Sequence, residues 1–275
     1  MLKNKFFILF LIGSLGLTSC SEYQKVLNKG TTNDQYKMAT ELYESQKFNK
    51  AIQLFEKITP SFRGKPQMER IQYMVAQAHY NTKQYPLAAY YFDKFVKNYP
   101  KSSKIEEAAY LSAHSYFLDS PVFSLDQKTT QESITALQNF IYKYPASPKI
   151  EQANENIKTL TLKLEKKAFE IARQYYHVED YISAIVAFDN VLSKYLGTSY
   201  KEEALYLKFE SAYELGINSI FEKKETRIND AVKYHERFRR SFPESKYLAE
   251  TTKQLEKLNE ELSIITTLKT ENNGL

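Results

Sequence analysis

The sequence predicts an all-α fold: a superhelical solenoid of about five helical hairpins closed by a C-terminal capping helix. Three observations carry that expectation. The 275 residues include only seven glycines and eight prolines, too few turn-forming residues for a many-stranded sandwich or barrel. A pattern of small, aromatic and apolar residues at helical spacing recurs along the chain. Between the recurrences stand phrases rich in Pro and Ser, which stop one helix and favour the start of the next.

The first nineteen residues read as a targeting segment. MLKNK carries two lysines, FFILFLIGSLGL is an apolar run, and small residues follow. That is the order of a secretory signal, and the run is short for a permanent membrane span. An ordinary signal peptide or a short anchor is the alternative. Leu17-Thr18-Ser19-Cys20 contains the one cysteine of the chain and resembles the bacterial lipobox. The resemblance implies removal of residues 1–19 and acylation of Cys20, a covalent lipid and no other cofactor. Each buried methylene contributes roughly 0.8 kcal/mol, so several acyl chains anchor a protein stably where one is marginal. Ser21 stands where an aspartate would resemble an inner-membrane retention signal, which favours the outer membrane and, with no acidic run after Cys20, its periplasmic face. Residues 20–32 read as a polar tether.

From residue 33 the chain repeats. ESQKFNKAIQLFEKI, NTKQYPLAAYYFDKF and HVEDYISAIVAFDNV align without gaps. The small position is Ala51, Ala88, Ser133, Ala184 and Ala231. Four residues on come Phe55, Phe92, Leu137, Phe188 and His235, and three further Ile58, Phe95, Phe140, Val191 and Phe238. Steps of four then three keep all three on one helical face, with the small residue where a neighbouring helix approaches. Ala39, Ala76 and Ala172 mark the preceding helix, where the fifth copy has Phe209. NYPKSSKIEEAAY, KYPASPKIEQAN, KYLGTSYKEEALY and SFPESKYLAE close the hairpins. Small-to-small spacing and the closing proline resemble the tetratricopeptide repeat.

The expected organisation is repeats 1–3 over 33–148, a long linking helix over 149–178 that contributes to repeat 4, and repeats 4–5 with the capping helix over 179–270. Repeats three and five are read as stretched by loops at 119–130 and 215–230, a length at which loops are often functional.

No chemistry emerges. His79, His114, His177 and His235 are scattered, and no phosphate loop, nucleophile elbow or metal-ligand spacing is present. His79 and His235 read as packed imidazoles. With one cysteine there is neither an internal disulfide nor a cysteine zinc cluster. The expectation is no enzyme, no catalytic residue and no metal. Net charge is +5 over the full chain. Without Lys3 and Lys5 it is 36 basic against 33 acidic side chains, +3, and alternating Lys and Glu read as solvated surface, with no stripe for nucleic acid.

The 22 tyrosines and 17 phenylalanines, with no tryptophan, point instead to binding. Two aromatic residues seven apart recur in each first helix: Tyr36 and Tyr43, Tyr73 and Tyr80, Tyr110 and Phe117, Phe169 and Tyr176, Tyr206 and Tyr213. Seven residues is almost two turns, so each pair shares a face. These rings form a candidate ladder along a concave groove, suited to an extended or hairpin peptide with aromatic side chains. The other reading of the same rings is packing scaffold.

A lipobox followed closely by five repeats, together with LQNFIYKYPASPKIEQAN and AFEIARQYYHVEDYISAIVAFDNVLSKY, is similar to the BamD family of the outer-membrane β-barrel assembly machine. The resemblance implies an assembly factor whose C-terminal repeats, roughly 180 to 265, dock a POTRA domain of the BamA barrel protein alongside other lipoproteins of the machine. Its N-terminal repeats would receive the C-terminal segment of unfolded outer-membrane proteins. Two alternatives are a periplasmic adaptor of the Tol-Pal type and a SusD-like nutrient-binding lipoprotein. The first usually has an N-terminal coiled coil, and the second a larger ligand domain.

Overall fold

The computed structural model describes residues 22–273, all helical hairpins and connecting turns with no strand among the described residues. The signal segment and Cys20 lie outside the described residues. The chain divides into two compact units, up to residue 160 and from residue 161.

In the first unit, α1 covers 22–29. The hairpins that follow are α2 (Thr32–Glu44) with α3 (Phe48–Ile58), α4 (Gln67–Asn81) with α5 (Tyr85–Asn98), and α6 (Ile105–Asp119) with α7 (Lys128–Lys143). α8 runs from Ile150 to His177 across the stretch that lacks Pro and Gly and crosses the division. In the second unit it is followed by α9 (Tyr181–Lys194), α10 (Lys201–Ile217), α11 (Phe221–Ser241) and α12 (Leu248–Asn273).

Many of the helix ends have a visible cause. Thr31 and Asp34 form a reciprocal capping box at the head of α2: the Asp34 amide donates to Thr31 Oγ1 at 3.2 Å and the Thr31 amide to Asp34 Oδ2 at 3.0 Å. Three hairpins turn through Gln46, Lys83 and Glu179, whose φ values of 59°, 60° and 62° lie in the left-handed region. In each, the next residue's amide reaches back five, Lys47 to Leu42, Gln84 to His79 and Asp180 to Tyr175, which closes the helix end. The phrases between hairpins share one device as well. Ser102, Ser147, Thr198 and Ser245 each donate a backbone amide to the aromatic residue three before, Tyr99, Tyr144, Tyr195 and Phe242. Their hydroxyls then accept from the amides of Lys104, Lys149, Tyr200 and Tyr247 at 3.0–3.3 Å. Short hydroxyl turns of this kind occupy the backbone where a helix has ended.

The repeat residues are the core. Ala51, Ala88, Ser133, Ala184 and Ala231 are all 0% exposed, and so are Ala39, Ala76, Ala172 and Phe209. Phe55, Phe92, Leu137, Phe188 and His235 are at most 1% exposed, and Ile58, Phe95, Phe140, Val191 and Phe238 at most 3%. Small residues admit the neighbouring backbone, and the aromatic residues one turn on fill the volume left beside it.

In the second unit Gly216 serves close approach too: a Cβ there would meet Ile228 Cγ1 at 3.2 Å. Lys208, 3% exposed, is held by Asp189 at 2.6 Å, with its ammonium 3.7 Å from the Tyr234 ring centroid. α12 lays Thr251, Leu258 and Ile265, at most 2% exposed and seven residues apart, towards α10 and α11; its outer positions are mostly polar, with Ile264 and Leu268 exposed.

Two sequence expectations change. The segment at 215–230 is not a loop: α10 runs to Ile217 and α11 begins at Phe221. FEKKETRIND has neither Pro nor Gly and propagates as helix, and Asn218 ends α10 with its backbone amide and its side-chain Nδ2 both donating to the Glu214 carbonyl, at 3.1 and 3.0 Å. The tether at 20–32 contains α1, with Tyr23 only 5% exposed. At 119–130 the open part is shorter, ending at α7, and it is ordered around buried Gln127, whose Nε2 donates to the Val122 and Leu125 carbonyls.

Phe92→Ala removes a fully buried ring that packs on Tyr73 and Tyr80 and is expected to cost about 3–5 kcal/mol. Urea unfolding followed by circular dichroism measures it; a loss below about 1 kcal/mol would show that the ring is not a core element.

Candidate functional site

The first helices of neighbouring hairpins touch through residues separated by one repeat length. Tyr43 on α2 donates its hydroxyl to Gln77 Oε1 on α4 at 2.7 Å. Tyr80 on α4 bonds His114 Nδ1 on α6 at 2.8 Å. Both pairs are 34 residues apart. Tyr73 faces Glu107 at the same separation: burial first, then that carboxylate, raises its hydroxyl above the ordinary phenol range. In the second unit Tyr176 faces Glu210, again 34 residues on, and burial with that charge raises its hydroxyl too. The ring of each tyrosine is packed in a hairpin while its oxygen reaches the next one.

The ten rings singled out in the sequence therefore divide. Tyr43 and Tyr73 line one cleft of about 420 Å³ between α2 and α4, with Glu44, Glu69, Arg70, Gln77 and Lys104. Arg70 lies 3.8 Å from Glu44, both exposed, and Lys104 Nζ is 5.6 Å from the Tyr73 ring centroid. The cleft offers two aromatic walls with exposed cations and carboxylates at its rim. Tyr36 is half-buried against Phe62 at 5.3 Å. Tyr80, Tyr110 and Phe117 converge on His114, the last two stacked on it at 5.4 Å. Burial, then the charge of Lys149, lowers the His114 pKa and keeps the imidazole neutral.

In the second unit the rings serve packing more than display. Phe169 is 1% exposed and stacks on Tyr200 at 4.4 Å, so its expected place on a gripping surface is corrected to core. Tyr206 stacks on Tyr247 at 3.9 Å, and Tyr213 is buried near Phe209. Tyr176 stays half-buried. The periodicity placed all ten on one register; it could not show how deep each sits, because depth depends on which neighbour covers it.

Residues missed in the sequence are the polar partners Gln77, Glu107, His114 and Glu210. Their signal was the separation of 34 from an aromatic residue. His79 is packed as expected, stacked on Tyr91 at 5.0 Å with Nδ1 2.9 Å from Gln84 Oε1. His235 is 1% exposed against Phe209, with no hydrogen-bond partner at either ring nitrogen among the described residues; burial lowers its pKa and keeps it neutral. No cluster of three or more His, Cys, Asp or Glu able to hold a metal occurs among the described residues. No described helix is long and apolar enough to cross a membrane.

A family model described as YfiO, outer membrane lipoprotein, matches residues 28–227, well over half of the chain. The chain belongs to the YfiO, or BamD, family of outer membrane lipoproteins. The matched region of this YfiO-family chain begins inside α1 and ends inside α11, so it includes the cleft and every tyrosine pair above. An outer membrane protein assembly factor BamD from Caulobacter vibrioides is 27% identical over 117 residues, 42% of this chain and 37% of that relative. The match thus spans little more than a third of the relative's length. A solved structure titled "Computational Design of Self-Assembling Cyclic Protein Homooligomers" aligns over 98% of this chain and 99% of its own at 14% identity, with a TM-score of 0.22.

Glu210 gives the YfiO-family chain a titration inside its second unit. It is 6% exposed, receives the Gln254 amide at 3.1 Å, and is pushed up to about 7 by burial and then by the charges of Glu250 and Glu214. A carboxyl raised on folding stabilises the fold while protonated and loses that contribution as pH rises through the folded value. Stability of the second unit is expected to fall between pH 5 and 8, by on the order of 1–3 kcal/mol. Glu210→Gln is expected to flatten that slope. Thermal melts across this range measure both effects, and an unchanged slope in the variant would assign it elsewhere.

Proposed function

We propose that this protein is an outer-membrane protein assembly factor, anchored by lipid on Cys20 at the periplasmic face, that holds unfolded β-barrel chains and docks a BamA-type POTRA domain. It is a scaffold and not an enzyme. The observation that carries the reading is the family match across α1 to α11, and the name of the Caulobacter relative supports the assembly role. The cleft between α2 and α4 supports the client site. Its aromatic walls, Tyr43 and Tyr73, and its mixed rim of Glu44, Glu69, Arg70 and Lys104 suit an extended segment with an aromatic side chain and a free terminal charge. Exposed Ile182, Val186, Leu196, Ile220 and Phe221 in the second unit, each at least 46% exposed, support a protein partner there.

Tyr43→Ala with Tyr73→Ala is expected to weaken binding of a fluorescent C-terminal barrel-strand peptide at least tenfold by anisotropy. Both rings touch other residues, so thermal melts accompany the titration. Unchanged affinity in a folded double variant would leave these rings as scaffold. In cells, photocrosslinkers at 43 and 73 are expected to capture barrel precursors, and crosslinkers within 180–265 the BamA-type partner. Recovery of a Pal-type or sugar-transport protein instead would favour the adaptor or nutrient-binding alternatives.

A further inference from the structure

The segment between the lipobox cysteine and the first hairpin is bolted down. α1 lies along α3 and runs in the same direction. Tyr23, 5% exposed, donates its hydroxyl to Gln53 Oε1 at 2.6 Å, with Lys50 Nζ 5.1 Å from its ring centroid. One turn further, the Lys57 ammonium donates to the Leu27 carbonyl. From α2, Gln35, 6% exposed, gives its Nε2 to the carbonyls of Val26 and Leu27, both at 3.1 Å. The Leu27 carbonyl, one of those a helix end leaves without partners, is thus taken by two neighbouring helices, and the Val26 carbonyl accepts from Gln35 in addition to the Gly30 amide. Gly30 makes the turn into α2 tight, since a Cβ there would lie 2.6 Å from the Val26 carbonyl oxygen.

Cys20 stands three positions before Tyr23. At no more than about 3.6 Å per residue, the acylated position lies within about 11 Å of a ring fixed in hairpin one. A flexible 13-residue tether, by contrast, would have a root-mean-square reach of about 20 Å. Direction follows from the contacts: Tyr23 lies beside Lys50 and Leu27 beside Lys57, so the N-terminal end of α1 points towards Lys47, at the edge where α2 turns into α3. α2 and α4 run side by side in the same sense, with Tyr43 bonded to Gln77, so the turn of the second hairpin and its Lys83 share that edge. Exposed Lys47 and Lys83 stand at its two turns, with half-buried Lys50 just inside α3. Of the acidic residues there, Glu44 faces Arg70, and Glu22 begins α1.

We propose that α1 is a rigid bracket that seats the turn edge of the first two hairpins on the anionic headgroups of the membrane holding the lipid. The inference rests on the reading that Cys20 is acylated. Headgroup attraction for lysine fades over a Debye length, about 8 Å at physiological salt. A bracket of about 11 Å keeps this edge near that range, whereas a loose tether of about 20 Å would not.

The test uses the chain's single native cysteine. In the acylated protein its thiol is blocked, so an introduced cysteine carries the label alone. Ser45→Cys sits at the turn edge, and Ser61→Cys, past the end of α3, at the opposite one. The labelled proteins are placed on phosphatidylcholine vesicles containing phosphatidylglycerol and a headgroup-linked quencher. Position 45 is expected to be quenched at least threefold more than position 61. That ratio should fall on vesicles of phosphatidylcholine alone and in the Lys47→Glu, Lys83→Glu variant. Tyr23→Ala, or the milder Gln53→Ala, should lower it while the protein still floats with the vesicles and melts as before. Equal quenching at 45 and 61 on the anionic vesicles overturns the proposal, as does a ratio untouched by both the charge reversal and the bracket variants. Failure of the lipid reading looks different: the parent protein does not float, and Cys20 itself takes the label.

Discussion

How near two helices can come at a small residue governs everything else in this molecule. At Ala39, Ala76 and Ala172 in the first helices, and at Ala51, Ala88 and Ala184 in the second, exposure is zero. A single methyl lets facing backbones approach at the short end of the usual 8–10 Å range. That closeness dictates what stands one turn away. A phenyl ring fits the wedge between two such helices, and Phe55, Phe92 and Phe188 are all fully buried in it. Ser133 and Gly216 show the same requirement met by other small residues.

Close packing within each hairpin leaves the joints between hairpins to be specified, and tyrosine does that. Its ring satisfies the packing while its oxygen reaches about one ring length further, to Gln77 from Tyr43 and to His114 from Tyr80. Phenylalanine would fill the same volume and say nothing about the neighbour; tryptophan would overfill it. Four of the 22 tyrosines, Tyr43, Tyr73, Tyr80 and Tyr176, turn their hydroxyls to the next hairpin in this way, and two of them, Tyr43 and Tyr73, also face an open cleft. The same side chains can hold the scaffold and present a surface because their two ends do different things.

Much of this was legible in the sequence, and the misreadings have physical causes. The repeat positions were readable because a residue's phase on a helix follows from spacing alone, and residues from Ala51 to Phe238 are buried where their phase put them. The depth of Phe169 was not readable, since Tyr200 covers it from a different helix. Gly216 and Asn218 look like loop residues beside a polar stretch, yet the glycine serves helix contact and only 218–220 leave the helix. α1 was obscured because SEYQKVLNKG is mostly polar and too short to show a periodic stripe, while its attachment depends on Tyr23 and Leu27 packing on the first core cluster and on carbonyls capped by Gln35 and Lys57. Pairings between distant polar groups leave little periodic trace, so the 34-residue partners emerged only with the fold.

The hairpin turns carry a consequence of their own. Gln46, Lys83 and Glu179 occupy left-handed backbone where glycine would sit without penalty, at a cost of about 1–2 kcal/mol each. A consensus-minded engineer seeking heat resistance would install glycine at all three and gain stability. The same edit would erase one side chain at each bend, an amide, a cation and a carboxylate in turn. Ruggedness and the chemical individuality of each bend draw on the same three positions, so a sturdier homologue would be a plainer one at every hairpin turn it hardened.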